Sequence, residues 1–84
     1  KFACLKLAFE ALKQGGNAMG TINAANEVAV DAFLNRKIRF LDIPNVIEQT
    51  LSQVPHTTLT SLDAIIANDQ SARLTATQIV KQHA

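Results

Sequence analysis

The sequence predicts an all-α fold, an up-and-down four-helix-type bundle with a short extra helix. Three observations carry that prediction. Apolar residues recur at helical spacing in successive segments of the 84 residues, which is the mark of a helix with one buried face. No alternation of period two is longer than the pair Ile38 and Phe40, so nothing reads as a strand of a sheet. Start and stop signals, Gly15-Gly16, Asp42-Ile43-Pro44 and Val54-Pro55, fall at the bounds of the periodic segments.

In chain order, residues 2–14 place Phe2, Leu5, Ala8, Phe9 and Leu12 on one stripe, with Lys6, Glu10, Lys13 and Gln14 opposite. Cys4, Leu7 and Ala11 add a second, weaker apolar face. Gly15-Gly16 follows where a left-handed cap is wanted, because glycine takes positive φ without a Cβ penalty. A second helix is predicted from about Ala18 to Asn35, with Ile22, Ala25, Ala29, Ala32 and Phe33 on one side and Val30 and Leu34 extending it. The small residues let neighbouring helices approach closely, while Gly20 leaves the start of this helix loose.

Arg36 to Leu41 reads as an extended connector that tucks Ile38 and Phe40 under the bundle. Asp42-Ile43-Pro44 reads as a helix start, Asp42 accepting orphan N–H groups and Pro44 tolerated in the first turn. Ile43, Val46, Ile47, Thr50 and Leu51 make its apolar stripe. Val54-Pro55 ends it near Gln53, since proline disfavours the helical conformation of the residue before it. After a polar loop from His56 to Thr60, Thr60 or Ser61 caps a helix from Leu62 that points Leu62, Ile65 and Ile66 inward. Asn68-Asp69-Gln70-Ser71 interrupts the pattern and Asp69 is a new cap, so a break is expected there, with a final helix from about Gln70 to Gln82. A single bent helix is the alternative. Ala72, Ala76, Ile79 and Val80 form the inner face.

Length and charge exclude several functions. A dinucleotide-binding unit or an enzyme barrel needs roughly 150 to 250 residues. A net charge of +1, with eight Lys or Arg against seven Asp or Glu, gives no footprint for nucleic acid or anionic lipid, and phenylalanine is the only aromatic type available for stacking on bases. The uncharged stretch Gln14 to Asn26 is too short and too polar to span a bilayer. The chain opens at Lys1 without Met and without the regions of a signal peptide, so it is expected to be a fragment or processed product. One cysteine, Cys4, forms no internal disulfide, and a cytoplasmic location is the expectation. Cys4 reads as a small core residue. His56 and His83 have no Cys or carboxylate at metal-ligand spacing. Gly15-Gly16 lacks the preceding strand that a phosphate loop requires.

The unusual feature is Asn23-Ala24-Ala25-Asn26-Glu27. Asn23 and Asn26 project between Phe33, Val30 and Leu34, which sets two amides into what reads as an apolar face. Left unpaired there, each costs about 1 to 3 kcal/mol. Asn23, Asn26 and Glu27 are therefore either polar contacts for a ligand or a structural polar cluster that fixes the register of the second helix against its neighbours. The trio contains neither nucleophile nor electrophile, so no catalytic, cofactor-binding or metal-binding residue is assigned.

Phe2-x-Cys4-Leu5-Lys6-Leu7-Ala8, Gly15-Gly16, Ile22-Asn23-Ala24-Ala25-Asn26-Glu27-x-Ala29-Val30-x-Ala32-Phe33-Leu34 and Ile38-x-Phe40-x-Asp42-Ile43-Pro44 together resemble the C-terminal region of the 1-deoxy-D-xylulose 5-phosphate reductoisomerase family. Ser61-Leu62-Asp63-Ala64-Ile65 and Asp69-x-x-Ala72-Arg73 are similar to its weaker tail. Ala3 stands where the family commonly has proline. The resemblance implies that residues 1–84 are one non-catalytic, C-terminal helical domain of a longer enzyme, supporting upstream catalytic and NADPH-binding domains of the same chain. For the whole enzyme it implies NADPH and Mg or Mn as cofactors, a bacterial or plastid homodimer, and formation of 2-C-methyl-D-erythritol 4-phosphate in non-mevalonate isoprenoid biosynthesis. The fragment alone is expected to bind no cofactor and to be inactive. A free-standing helical interaction module is the other reading of the residues.

Overall fold

A computed structural model describes residues 16–83 of the chain. Three helices form an all-α bundle: α1, Ala18–Leu34; α2, Asp42–Gln53; and α3, Leu62–His83. Each packs against the other two. The helix predicted over residues 2–14, with Cys4 and Gly15, lies outside the described residues.

The core is built from alanine as much as from large side chains. Ala25, Ala29 and Ala32 of α1 meet Ile43, Val46 and Ile47 of α2 and Ala76, Ile79 and Val80 of α3, and Ile38 of the α1–α2 connector joins them at 7% exposure. Small side chains on α1 allow close interhelical approach, and dispersion contacts then accumulate at close range. Apart from Leu51, which is half-buried, the predicted inner faces of α2 and of the C-terminal half of α3 are buried as expected, and α2 ends where proline requires: Val54 is extended, with φ −82° and ψ 122°.

Four expectations are corrected. First, α3 has no break at Asp69 and no short extra helix precedes it; one helix of 22 residues runs through. Its polar interruption is absorbed by pairing, since Asp69 and Arg73 stand one turn apart and bond at 2.7 Å. Second, Ser61 caps this helix, its Oγ accepting the Ala64 N–H at 3.1 Å, but Leu62, Ile65 and Ile66 are 70%, 49% and 48% exposed rather than interior. They share the spacing of the buried residues Ala72, Ala76 and Ile79 but lie beyond the ends of the helices that cover those.

Third, the 35–41 connector is a series of turns and not an extended segment. Asn35 and Arg36 close α1: the Arg36 and Lys37 N–H groups donate to Phe33 O at 3.0 Å and Ala32 O at 2.8 Å. Arg36 takes φ 61° to do so, the left-handed conformation that glycine usually supplies at this place. Phe40 remains exposed and meets Phe33 edge-on, with ring centroids 5.6 Å apart. Fourth, Asp42 is the first residue of α2 and not its cap. Its Oδ2 reaches back and accepts the Arg39 N–H at 2.8 Å.

Candidate functional site

Polar side chains that could do chemistry fall in three places on this bundle. The first sits at the start of α1. Asn17 is 2% exposed; its Nδ2 donates to Pro55 O and to Asn68 Oδ1, both at 2.8 Å, and its Oδ1 accepts the Thr57 N–H at 2.9 Å. The Asn17 N–H donates to Thr57 O at 3.0 Å, and Asn68 Nδ2 donates to Thr21 Oγ1 at 3.3 Å. One amide thus ties α1, the 54–60 loop and α3 together. Gly16 makes this approach feasible. It holds φ +60°, and a Cβ there would meet Thr57 O at 2.6 Å.

The second place is an open groove of about 570 Å³ between α1 and α3, lined by Asn26, Glu27, Val30, Asp31, Leu34, Arg73 and Thr77 among others. Arg73 lies across it, donating from Nε to Asp69 at 2.7 Å and from Nη2 to Glu27 at 3.1 Å. Those two carboxylates, Asp69 foremost, hold the guanidinium still more firmly protonated than usual. The cation is therefore already matched by two anions. The third place is the junction of α2 with the end of α3. The Arg39 backbone N–H, helped by the Arg39 and His83 charges, holds the Asp42 carboxyl below its ordinary value against the opposing effect of burial. His83 lies 4.0 Å from Asp42 and 3.4 Å from Gln49 Nε2.

The trio Asn23, Asn26 and Glu27 does not form the buried cluster expected of it. All three are exposed. Glu27 is engaged by Arg73, and Asn26 lines the groove while Asn23 does not. The reason lies in which face of α1 turns inward. Thr21, Ile22, Ala24, Ala25, Ala29 and Ala32 are buried, whereas Val30 is only half-buried at the edge of the core and Leu34 is 70% exposed, so the asparagines that project between these two lie on the outer side. The clamp that sequence reasoning placed at Asn23 and Asn26 is instead made by Asn17 and Asn68. Their partnership spans 51 positions and leaves no local pattern to find.

Among the described residues no group of three or more His, Cys, Asp or Glu is placed to hold a metal ion. These residues do not fit a Mg or Mn site. Nor do they fit a dinucleotide cradle, since the elements among them are three helices and no strand. No helix among them is long and apolar enough to cross a membrane.

Comparison with known proteins is specific. A family profile described as the DXP reductoisomerase C-terminal domain matches residues 1–75. The 1-deoxy-D-xylulose 5-phosphate reductoisomerase of Vesicomyosocius okutanii is 64% identical over 83 residues, covering 99% of this chain and 22% of that protein. The Pseudomonas putida enzyme of the same name is 49% identical over 83 residues, covering 99% and 21%. A solved structure, the reductoisomerase from Zymomonas mobilis in complex with NADPH, superposes with a TM-score of 0.88 at 44% identity, over 92% of this chain and 20% of that one. The chain thus spans about a fifth of the length of the curated relatives it matches. With the helical bundle, the 99% coverage and the profile all in agreement, this chain belongs to the DXP reductoisomerase C-terminal domain family.

Proposed function

We propose that residues 1–84 are a single structural domain of a 1-deoxy-D-xylulose 5-phosphate reductoisomerase, and that they support the catalysis of a longer polypeptide without touching its substrate. The observation that carries this reading is the 64% identity over 83 residues to a relative of that name of which the chain spans 22%. The bundle's own chemistry agrees with it, because Asn17, Asn68, Arg73 and Asp42 are all engaged in joining one segment to another. In this reading the whole protein rearranges 1-deoxy-D-xylulose 5-phosphate and reduces it with NADPH to 2-C-methyl-D-erythritol 4-phosphate. It works with a divalent metal such as Mg or Mn, as a cytoplasmic homodimer serving isoprenoid precursor synthesis. Hydride transfer and metal binding belong to residues outside this chain.

The test is a graft. This chain replaces the matching segment of the Pseudomonas putida relative, and NADPH oxidation is followed with 1-deoxy-D-xylulose 5-phosphate present. Retained turnover is expected, and a folded chimera without turnover overturns the reading. Calorimetric titration of the 84-residue chain with NADPH, with and without Mg, is expected to show no heat of binding; micromolar affinity would place cofactor chemistry inside the bundle.

A further inference from the structure

Asn68 is level with the first turn of α1, where it bonds Asn17 and Thr21, yet α3 begins six residues earlier at Leu62. At 1.5 Å per residue about 9 Å of helix projects past the first turn of α1. Leu62 and Ile65 continue the three- and four-residue spacing of the buried Ala72, Ala76 and Ile79, so they face the same way as the core. The 54–59 strap lies on another flank, lining a cavity with Ala64, Ala67 and Ser71. Nothing among the described residues covers the projecting face, and Leu62, Ile65 and Ile66 keep 70%, 49% and 48% of their surface exposed. Three large aliphatic side chains at i, i+3 and i+4 make a contiguous apolar ridge of the kind that marks a contact surface.

We propose that this ridge is the seat of the preceding part of the same polypeptide, an apolar surface with a neutral or basic rim opposite the exposed Asp63. The occupant follows from length: in the relatives this domain is 21% to 22% of one continuous chain, so most of the molecule is available to cover a face left open here. The proposal rests on the reading of the chain as part of a longer reductoisomerase.

The experiment uses the active Pseudomonas putida chimera and a doubly substituted form, Leu62→Lys with Ile66→Lys, beside a control, Leu74→Lys, which alters an exposed leucine elsewhere on α3. Calorimetry is expected to show one cooperative transition for the parent and the control. The double variant is expected to gain a separate transition lower by about 5 °C or more, and the same pair in the 84-residue chain to leave its melting unchanged. An unchanged chimera overturns the proposal while leaving the function reading intact. Equal destabilisation of the 84-residue chain also overturns it, by putting the cover within residues 1–84. Conversion of a dimer to monomers in sedimentation overturns it in favour of a subunit contact. A folded but inactive parent chimera overturns both readings.

Discussion

Replacing Asn17 by alanine tests whether one amide holds the top of the bundle. Asn17 is 2% exposed and its side chain makes bonds to Pro55 O, Asn68 Oδ1 and the Thr57 N–H. Each neutral hydrogen bond contributes about 1 kcal/mol net, and the loss is larger where a partner stays buried and unpaired. Three partners released together therefore cost about 3 kcal/mol. For a domain of this size about 1 kcal/mol moves the midpoint by 4 to 8 °C, so the expected fall in Tm is roughly 15 °C. Thermal and urea unfolding of the 84-residue chain, followed by far-ultraviolet circular dichroism, measures it. Asn23→Ala and Asn26→Ala serve as comparisons and are expected to stay within about 0.5 kcal/mol of the parent, as exposed positions do. A loss below about 0.5 kcal/mol at Asn17, or one above about 1 kcal/mol at Asn26, would refute the assignment of the clamp.

Other substitutions separate backbone effects from side-chain effects. Gly16→Ala strains a residue at φ +60° and drives a Cβ to 2.6 Å from Thr57 O; a loss of about 2 kcal/mol or more is expected in urea unfolding. Arg36→Gly does the reverse. It relieves a left-handed arginine at φ 61° and is expected to raise the urea midpoint, by about 0.5 to 1 kcal/mol in stability. Asp42→Asn probes acid sensitivity. Because the native carboxyl sits below its ordinary value, its contribution is present above pH of about 4 and is lost as the pH falls through the native value. Tm measured from pH 7 downward is expected to show the parent above the variant at neutral pH and the two converging in acid.

Much of this bundle was legible because its signals are local. The stripe Ile43, Val46, Ile47 and Thr50, the stop at Val54-Pro55 and the Ser61 cap each involve residues within one or two turns, and periodicity or a single torsional preference suffices to read them. The misreadings arise where tertiary context outweighs the local signal. Asn68-Asp69-Gln70-Ser71 looks like a helix break until Asn68 is given a partner 51 positions away; the one-turn spacing of Asp69 and Arg73 was the available sign that the helix continues. Leu62, Ile65 and Ile66 have an interior pattern with no partner helix beside them among the described residues. Asn23 and Asn26 are misplaced because the apolar side of α1 does not extend to Leu34, which is 70% exposed.

The alanine face of α1 reverses the usual expectation about which positions tolerate change. Ala24, Ala25 and Ala29 are 0% exposed and Ala32 4%, so each touches a neighbouring helix with a single methyl group. A larger residue there has nowhere to go and must lever two helices apart, at a cost of about 1 to 3 kcal/mol per site. Leu34, at 70% exposure, can be exchanged for a polar residue with little consequence for the bundle. Along this helix the smallest residues set the distance at which α2 and α3 stand.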